Sequence, residues 1–369
     1  MTVASRRWRI AHSEASTGWG GQEHRVLAEL RGFQQRGCDV WLIAPRESII
    51  YQRAEKAGVP VVPVNFARPR FPIDAIRLAR WLHREKIQVL NPHSSRDGWL
   101  LGVAGRLAGV PLIIRTRHID VDYPNTFSSG IVFKKLADHV LTTSDKITAH
   151  FQKVFSIPGD RITTLPTGID LESFSPTGET AALPGKESGK PLVGMVSVLR
   201  SWKGHTTFLE AAVKLKAENF PVRFVIVGDG PQRQNLETKI AAQQLGDVVT
   251  LAGHREDVAA VLHSLAVLCI PSTKHEGVPQ IGLQALACKT PVVGSDVGGI
   301  PEVIRNGETG RIFPAENSDA LAAAIKTAIT QKDATKTMTE NGRAFVEKNF
   351  SINRMLDRLE ELYARHINP

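Results

Sequence analysis

PSTKHEGVPQIGLQALACKTPVVGSDVGGIPE, residues 271–302, holds the order of elements that decides the fold. The apolar run AVLCIPS (266–272) reads as a buried strand and ends in a polar loop that closes on Glu276 and Gly277. Pro279 is expected at the first helical position, where its missing N–H costs nothing, and QIGLQALAC (280–288) continues as a helix. TPVVGS (290–295) then restarts a strand. Strand, helix and strand in that order make a parallel crossover unit. The free amides of Gln280 and Ile281 would point out of the helix start, a setting suited to a diphosphate. Glu276 sits just before them, where a carboxylate can accept hydrogen bonds from hydroxyl groups. A Glu–Gly loop ahead of a helix is also a common cap, so the stretch by itself leaves both readings open.

The same alternation extends in both directions. Upstream, WRIAHS (8–13), DVWLIA (39–44), VPVVPV (59–64), IQVLN (87–91), PLIIRT (111–116), HVLTT (139–143) and RITTLP (161–166) are strand candidates. Helical patterns lie between them, such as QEHRVLAELRGFQQRG (22–37), where Val26, Leu30 and Phe33 share a face and Gly37 is the expected C-cap. SPTGETAALPGKESGKP (175–191) interrupts the pattern and reads as a linker. After it come PLVGMVSV (191–198), VRFVIVG (222–228), VVTLAG (248–253), the two strands around the opening stretch and GRIFP (310–314), then a helical tail. The expectation is an α/β chain of two Rossmann-like parallel-sheet domains, with strand C-termini facing a central cleft. The domains would span 1–175 and 191–350, joined by a linker at 176–190, and a helix at 351–369 would cross back to the first.

Composition narrows the class. With 369 residues, 42% hydrophobic and 22% charged, the chain is long enough for two cores and shows no segment depleted as disordered chains are. There is no apolar stretch of membrane-spanning length and no signal-peptide pattern, so a cytoplasmic location is expected. Cys38, Cys269 and Cys288 stand far apart in apolar surroundings and read as buried thiols rather than metal ligands. Residues 1–170 hold 24 Lys and Arg against 15 Asp and Glu, so the whole +9 excess lies in the first half. That field suits an anionic ligand or acidic lipid headgroups. No basic run interleaved with aromatics and no zinc-ligand spacing points to nucleic acid, and neither a P-loop nor a dinucleotide fingerprint is present.

The 271–302 stretch resembles the signature of retaining glycosyltransferase family 4, glycosyl transferases group 1, whose members have the two-lobed GT-B fold. In that family a glutamate is followed eight positions later by a second; the first helps bind the donor sugar and the second holds the nucleotide ribose. Glu276 matches the first and Gln284 replaces the second, which leaves hydrogen bonding but excludes a catalytic carboxylate at that position. The resemblance implies donor contacts from Gly277, Val278, Gln280, Ile281 and Gln284. VLRSWKGHTTFLEAA (198–212) is similar to the family's Arg/Lys–Gly loop, which implies catalytic roles for Lys203 and, two positions past Val198 at the family's arginine site, Arg200. SEASTGWGGQEHRVLAEL (13–30) carries Gly20 and Gly21 where the family's first loop has Gly–Gly. LIIRTRHID places His118 where relatives set a histidine near the donor sugar. IVGDGPQRQNLE (226–237) and LPTGIDLESFSP (165–176) resemble family turns that serve the fold alone.

What the resemblance implies is transfer of a sugar from a nucleotide-diphosphate donor to an acceptor hydroxyl with retention. The acceptor expected is a bacterial envelope glycan or its lipid-linked precursor. No cofactor is expected and no metal, although Asp120 and Asp122 form an Asp-Val-Asp that superficially matches a metal motif of a different fold. A GT-B nucleotide-sugar epimerase, a phosphorylase or a non-catalytic sugar-nucleotide-binding protein would share the architecture. Helix 73–86 carries Arg77, Arg80, Arg84 and Trp81 and invites two readings, packing on the sheet or contact with anionic membrane at the inner face of the cytoplasmic membrane.

Overall fold

Short runs rich in Val, Ile and Leu become parallel strands because crossover helices cover both faces of the sheets they build. A computed structural model describes residues 7–66, 70–118 and 126–367. Seven strands form the first sheet: β1 (Arg9–Ser13), β2 (Asp39–Ala44), β3 (Val61–Pro63), β4 (Val89–Pro92), β5 (Leu112–Arg117), β6 (His139–Thr142) and β7 (Ile162–Thr164). Their order is β3-β2-β1-β4-β5-β6-β7 and every pairing is parallel. Six more form a second parallel sheet: β8 (Leu192–Val196), β9 (Arg223–Val227), β10 (Val249–Gly253), β11 (Val267–Ile270), β12 (Val292–Ser295) and β13 (Arg311–Phe313). That order is β10-β9-β8-β11-β12-β13. In each sheet the first strand of the unit lies inside, and the order reverses beside it. Ligands of doubly wound sheets bind at this switch point, outside the strand C-termini.

The chain divides into two compact units, Met1–Gly168 with Ile352–Pro369, and Ile169–Ser351. The break falls between Gly168 and Ile169, earlier than residue 176, and residues 176–190 are not a free connector. Ala181 and Leu183 are buried in the second unit's core, and the Ala181 amide donates to the Ala260 carbonyl at 3.0 Å. A polar stretch rich in Gly and Pro thus spends its two well-placed apolar residues on packing. No described helix is long and apolar enough to cross a membrane.

In the first unit the helix Gly21–Gln35 buries Val26, Leu30 and Phe33 against the sheet. It ends through Gly37, whose φ of +81° is the left-handed turn expected there. The helix Ile352–Ile367 lies against it: a Cβ on Gly32 would stand 2.4 Å from Leu356 Cδ1, so glycine is what lets the two approach. Tyr363, fully buried, meets Trp8 edge-on with ring centroids 6.0 Å apart. All three cysteines are buried thiols, and burial pushes the Cys288 thiol up to about 12, outside reactive range.

Leu356, at 1% exposure, is the central apolar contact of that helix pair. Leu356→Ala should destabilise the first unit by about 2–5 kcal/mol, the usual cost of a buried leucine. The drop would be read as a lowered urea midpoint, and an unchanged midpoint would mean that the C-terminal helix carries none of the unit's stability.

Candidate functional site

In the second unit the loops after β8, β11 and β12 converge because these strands are neighbours and end at the same edge. After β8 the chain forms one tight turn, Ser201–Lys203, and enters the helix His205–Ala217 through Gly204 at φ +77°. A Cβ on Gly204 would lie 1.7 Å from the Pro271 carbonyl oxygen, so only glycine lets this turn sit on the end of β11. The Thr273 amide donates to the Trp202 carbonyl at 2.8 Å and ties the two loops together.

That contact delivers Lys203 to Glu276. The Lys203 ammonium donates to Glu276 Oε2 at 2.8 Å and to Oε1 at 3.0 Å. Ser272 Oγ donates to the same Oε2 at 2.7 Å, and Ser295 Oγ donates to the Ser272 carbonyl at 2.6 Å. The loop after β12 holds Glu276 from the other side. The Gly299 amide donates to the Glu276 carbonyl at 3.0 Å, and Gly298 takes φ +61° with no room for a Cβ, which would stand 1.9 Å from that oxygen. Two of the three ammonium donors of Lys203 are committed to Glu276, and one remains for a ligand.

The helix Gln280–Ala287 follows directly. Pro279 occupies the N-cap rather than the first helical position, at φ −72° and ψ 112°. Its carbonyl takes the first two ladder bonds, from Gly282 at 3.0 Å and Leu283 at 3.2 Å. The amides of Gln280 and Ile281 therefore lie ahead of the ladder, next in the chain to half-buried Gly277 and Val278. Gln284 lies half-buried one turn along, on the same face as Gln280. Arg200 does not join this group. Its side chain is exposed and its guanidinium stacks on Trp202, 5.2 Å from the ring centre, while Trp202 meets His275 edge-on. Arg200 stands two positions past the family's arginine site, as the N-cap of the tight turn, where its carbonyl accepts the Lys203 amide at 3.1 Å.

In the first unit β1, β4 and β5 stand side by side and each ends near a histidine. His93 Nδ1 lies 2.8 Å from His118 Nε2, and His93 Nε2 lies 3.1 Å from His12 Nδ1. Burial holds all three imidazoles neutral: His12 falls to about 4, and His93 and His118 fall well below the usual value, with Arg25 and Arg115 adding to the effect. His118 was legible in the sequence as a single residue; His12 and His93 were not. The signal for them is that RIAHS, LNPHS and RTRH all set a histidine at the end of a strand, and it becomes visible only once the strand order is known.

Two buried carboxyl groups shape the loop that follows β1. Asp97 accepts from Ser13 Oγ at 2.7 Å, from the His93 amide at 3.1 Å and from the Ser94 amide at 2.9 Å. Glu14 accepts from the Ser16 amide at 2.8 Å and from the Gln22 side chain. Burial, with Asp97 adding to it, raises Glu14 to about 7. Gly20 is the N-cap of the helix that starts at Gly21, with Glu23 in its first turn. Carboxyl groups on both sides of this helix start favour a ligand's hydroxyl groups over its phosphates there. Among the described residues, His12, Glu29 and His93 form a group whose ligand atoms lie within 4.8 Å of one another. Glu29 already binds Arg25 at 2.6 Å, and that guanidinium opposes a cation. Asp120 and Asp122 lie outside the described residues.

Known proteins resemble the chain over nearly its full length. The family description Glycosyltransferase Family 4 matches residues 19–173, and Glycosyl transferases group 1 matches residues 179–345. The UDP-Gal:alpha-D-GlcNAc-diphosphoundecaprenol alpha-1,3-galactosyltransferase of Escherichia coli is 26% identical, with 96% of each chain covered. A glycosyltransferase structure from Rickettsia africae superposes with a TM-score of 0.87 at 22% identity, covering 98% of this chain and 99% of the other. Anabaena HepE, crystallised with UDP-glucose, superposes with a TM-score of 0.82 at 18% identity, covering 96% and 99%. Two doubly wound parallel sheets, neighbours of GT-B architecture and two family matches that divide most of the chain between them place it in one class: the protein is a family 4, group 1 glycosyltransferase with the GT-B fold.

Proposed function

We propose that this glycosyltransferase takes its sugar from a nucleotide-diphosphate donor and passes it to an acceptor hydroxyl with retention of anomeric configuration, in the assembly of a bacterial envelope glycan. The observation that carries the reading is the Lys203–Glu276 pair, 2.8 Å across, beside the free amides of Gln280 and Ile281. Cation, amides and helix start form a cradle for a pyrophosphate. The Glu276 carboxylate, fixed by Ser272, is left to order sugar hydroxyls, and Gln284 offers an amide to the ribose. The E. coli relative is named for a UDP-sugar donor and a diphosphoundecaprenol-linked acceptor, and HepE was crystallised with UDP-glucose. Both names support the donor class, and the first supports a lipid-linked acceptor.

In the proposed step the acceptor oxygen bonds to the anomeric carbon on the face from which the diphosphate leaves. The bond from that carbon to the phosphate oxygen breaks and its electron pair departs with the diphosphate. The hydroxyl proton passes to the departing phosphate oxygen, so no protein base or nucleophile is required. Lys203 and the two amides stabilise the negative charge that builds on the leaving group. A neutral His118 acts as a hydrogen-bond partner to the sugar rather than as an acid. Gly20 and Gly21 let a ligand's hydroxyl groups come close to the backbone at the end of β1. Arg200, stacked on Trp202, is left in an accessory role.

Lys203→Ala should cut turnover by about 10²–10³-fold, the usual cost of losing one preorganised donor. The assay is nucleotide release from UDP-glucose, UDP-galactose, GDP-mannose and ADP-glucose in the presence of diphosphate-lipid-linked sugars. Wild-type rates in the variant would remove Lys203 from the chemistry. Thermal unfolding with the same donors names the donor class, because about 100 Kd of ligand adds roughly 2.7 kcal/mol.

The buried imidazoles set a pH dependence of stability. Because His12 titrates near 4 when folded, the unfolded chain takes up protons below about 6.5 that the folded chain refuses. Stability should fall as pH drops from 6.5 towards 4, and His12→Gln should flatten the fall. Glu14 works in the opposite sense, since its raised value makes the folded state bind a proton between about 4.5 and 7. Glu14→Gln should therefore steepen the same descent. Denaturant melts at pH 4.5, 5.5 and 6.5 decide it, and three identical slopes would refute both assignments.

A further inference from the structure

His12, His93 and His118 touch in a row at the ends of three neighbouring strands, through His12 Nδ1 to His93 Nε2 and His93 Nδ1 to His118 Nε2. A neutral imidazole carries one proton, so each ring has one donor and one acceptor, and each contact needs one of each. Only two arrangements satisfy both contacts. Either every ring holds its proton on Nδ1 and the donors point from His12 towards His118, or every ring holds it on Nε2 and the donors point back. The first leaves His118 with an N–H to offer at Nδ1, and the second leaves it with a bare lone pair there.

The buried end of the row decides between them. His12 is fully buried, and its Nδ1 has Glu29 Oε2 at 3.7 Å as well as His93 Nε2 at 3.1 Å. Glu29 is equally buried and is held by Arg25 at 2.6 Å. A lone pair on Nδ1 turned to that carboxylate is repelled, and an N–H in its place is attracted. His12 Nε2 is buried without a hydrogen-bond partner among the described residues. A proton there would be a buried donor with nothing to receive it, which is the costly case. Asn91, the register partner of His12 on β4, has a buried amide nitrogen that itself lacks an acceptor, so a lone pair on His12 Nε2 suits this neighbourhood better than a second donor. Both nitrogens of His12 therefore ask for the proton on Nδ1.

We propose that His12 and His93 are positioning residues that fix the tautomer of His118: His12 donates to His93, His93 donates to His118 Nε2, and His118 keeps its proton on Nδ1, where it donates to a sugar oxygen. Glu29, paired with Arg25, sets the direction from the buried end. The tautomer of an imidazole follows the hydrogen bond made by its other nitrogen, and here that bond is passed through three rings. His118 Nδ1 has no hydrogen-bond partner among the described residues, so its N–H is kept for a ligand. A fixed neutral donor selects an oxygen that offers a lone pair, and no proton has to travel along the row for it to act. The contact with the sugar rests on the proposed transfer reaction, whereas the order of the protons does not.

Nitrogen NMR of the full-length chain labelled with nitrogen-15 histidine tests the order without any substrate, because protonated and bare ring nitrogens resonate far apart. Difference spectra with His12→Asn, His93→Asn and His118→Asn assign the signals. The expected result is Nδ1–H in all three rings, and Nε2–H in His12 or His118 overturns the proposal. The wild-type spectrum decides this even if a variant does not fold. His93→Leu should release His118 from the Nδ1–H form and lower kcat/KM by about 10–100-fold, the usual effect of removing a partner that orients a site imidazole. His93→Asn, whose amide nitrogen can stand where Nδ1 stood, should hold the His118 proton on Nδ1 and recover most of that loss. Folded His93→Leu with His118 still in the Nδ1–H form, or folded His93→Asn as slow as His93→Leu, would refute a positioning role. A chain with the Nδ1–H row that transfers from none of the four nucleotide sugars would overturn the transfer reading and leave the row standing. An active chain with the opposite order would overturn the row and leave the transfer.

Discussion

The strand-end edge of the second unit that carries the loops after β8, β11 and β12 depends on one ion pair, Lys203 with Glu276. Its partners sit on loops from adjacent strands, and apart from the single turn Ser201–Lys203 these loops have no regular structure of their own to hold them. What fixes them is mutual: Gly204 must be glycine for the lysine loop to rest on Pro271, and Gly298 must be glycine for the β12 loop to close over the Glu276 carbonyl. With Glu276 largely buried and Lys203 only a quarter exposed, the pair is shielded from the screening that makes surface pairs weak. Removing either partner leaves a charge in a poorly solvated place. The geometry of the edge therefore follows from the charges, and the lysine keeps one donor beyond the two that Glu276 takes.

A different device organises the first unit. Three imidazoles in a row at strand ends, with Glu14 just past β1 and Asp97 in the first turn of the helix Ser95–Ala108, form a polar layer beneath the loops after β1, β4 and β5. Burying so many titratable groups is tolerable only when they are neutral or hydrogen-bonded. The histidines meet that condition by giving up their protons, and Glu14 by holding its own more tightly. Arg25 stays charged and is answered by Glu29 and by the Leu165 carbonyl at 2.6 Å. Such a layer is rigid because each hydrogen bond fixes the tautomer of the next ring. That rigidity reaches His118, whose Nε2 is committed to His93 before any ligand arrives.

Much of this was legible in the residues. All thirteen strand candidates form strands, since a run such as DVWLIA is too short and too β-branched to be a helix and is followed by amphipathic spacing that cannot be a strand. Glu276 and Lys203 were legible as separate residues through the family resemblance, but their pairing was not, because 73 residues separate them and only the order β8-β11 makes them neighbours. Pro279 was placed one position too far in, since the sequence signs of an N-cap and of a first helical proline differ by a single dihedral angle. The stretch 176–190 looked like a linker because composition does not register which of its few apolar residues pack, and Ala181 and Leu183 do while Ala182 stays exposed. Arg200, two positions past the site where the family sets its arginine, was legible only through the resemblance, and its guanidinium lies on Trp202.

Charge shows the same limit. The excess of 24 basic over 15 acidic residues in 1–170 is one number, yet it covers residues with opposite environments. Arg25 and Arg115 are buried, Arg25 donating to Glu29 and to the Leu165 carbonyl and Arg115 to the Pro92 carbonyl, and they act on the site by depressing the histidines. Arg77, Arg80 and Arg84 lie in solvent and do not enter that network. A count over the half-chain adds the two groups together, although only the second can attract a partner at a distance. Separating them needs burial, and burial follows from which face of a helix the sheet claims: Leu78 and Leu82 turn inward, so Arg77, Arg80 and Arg84 have nowhere to go but out.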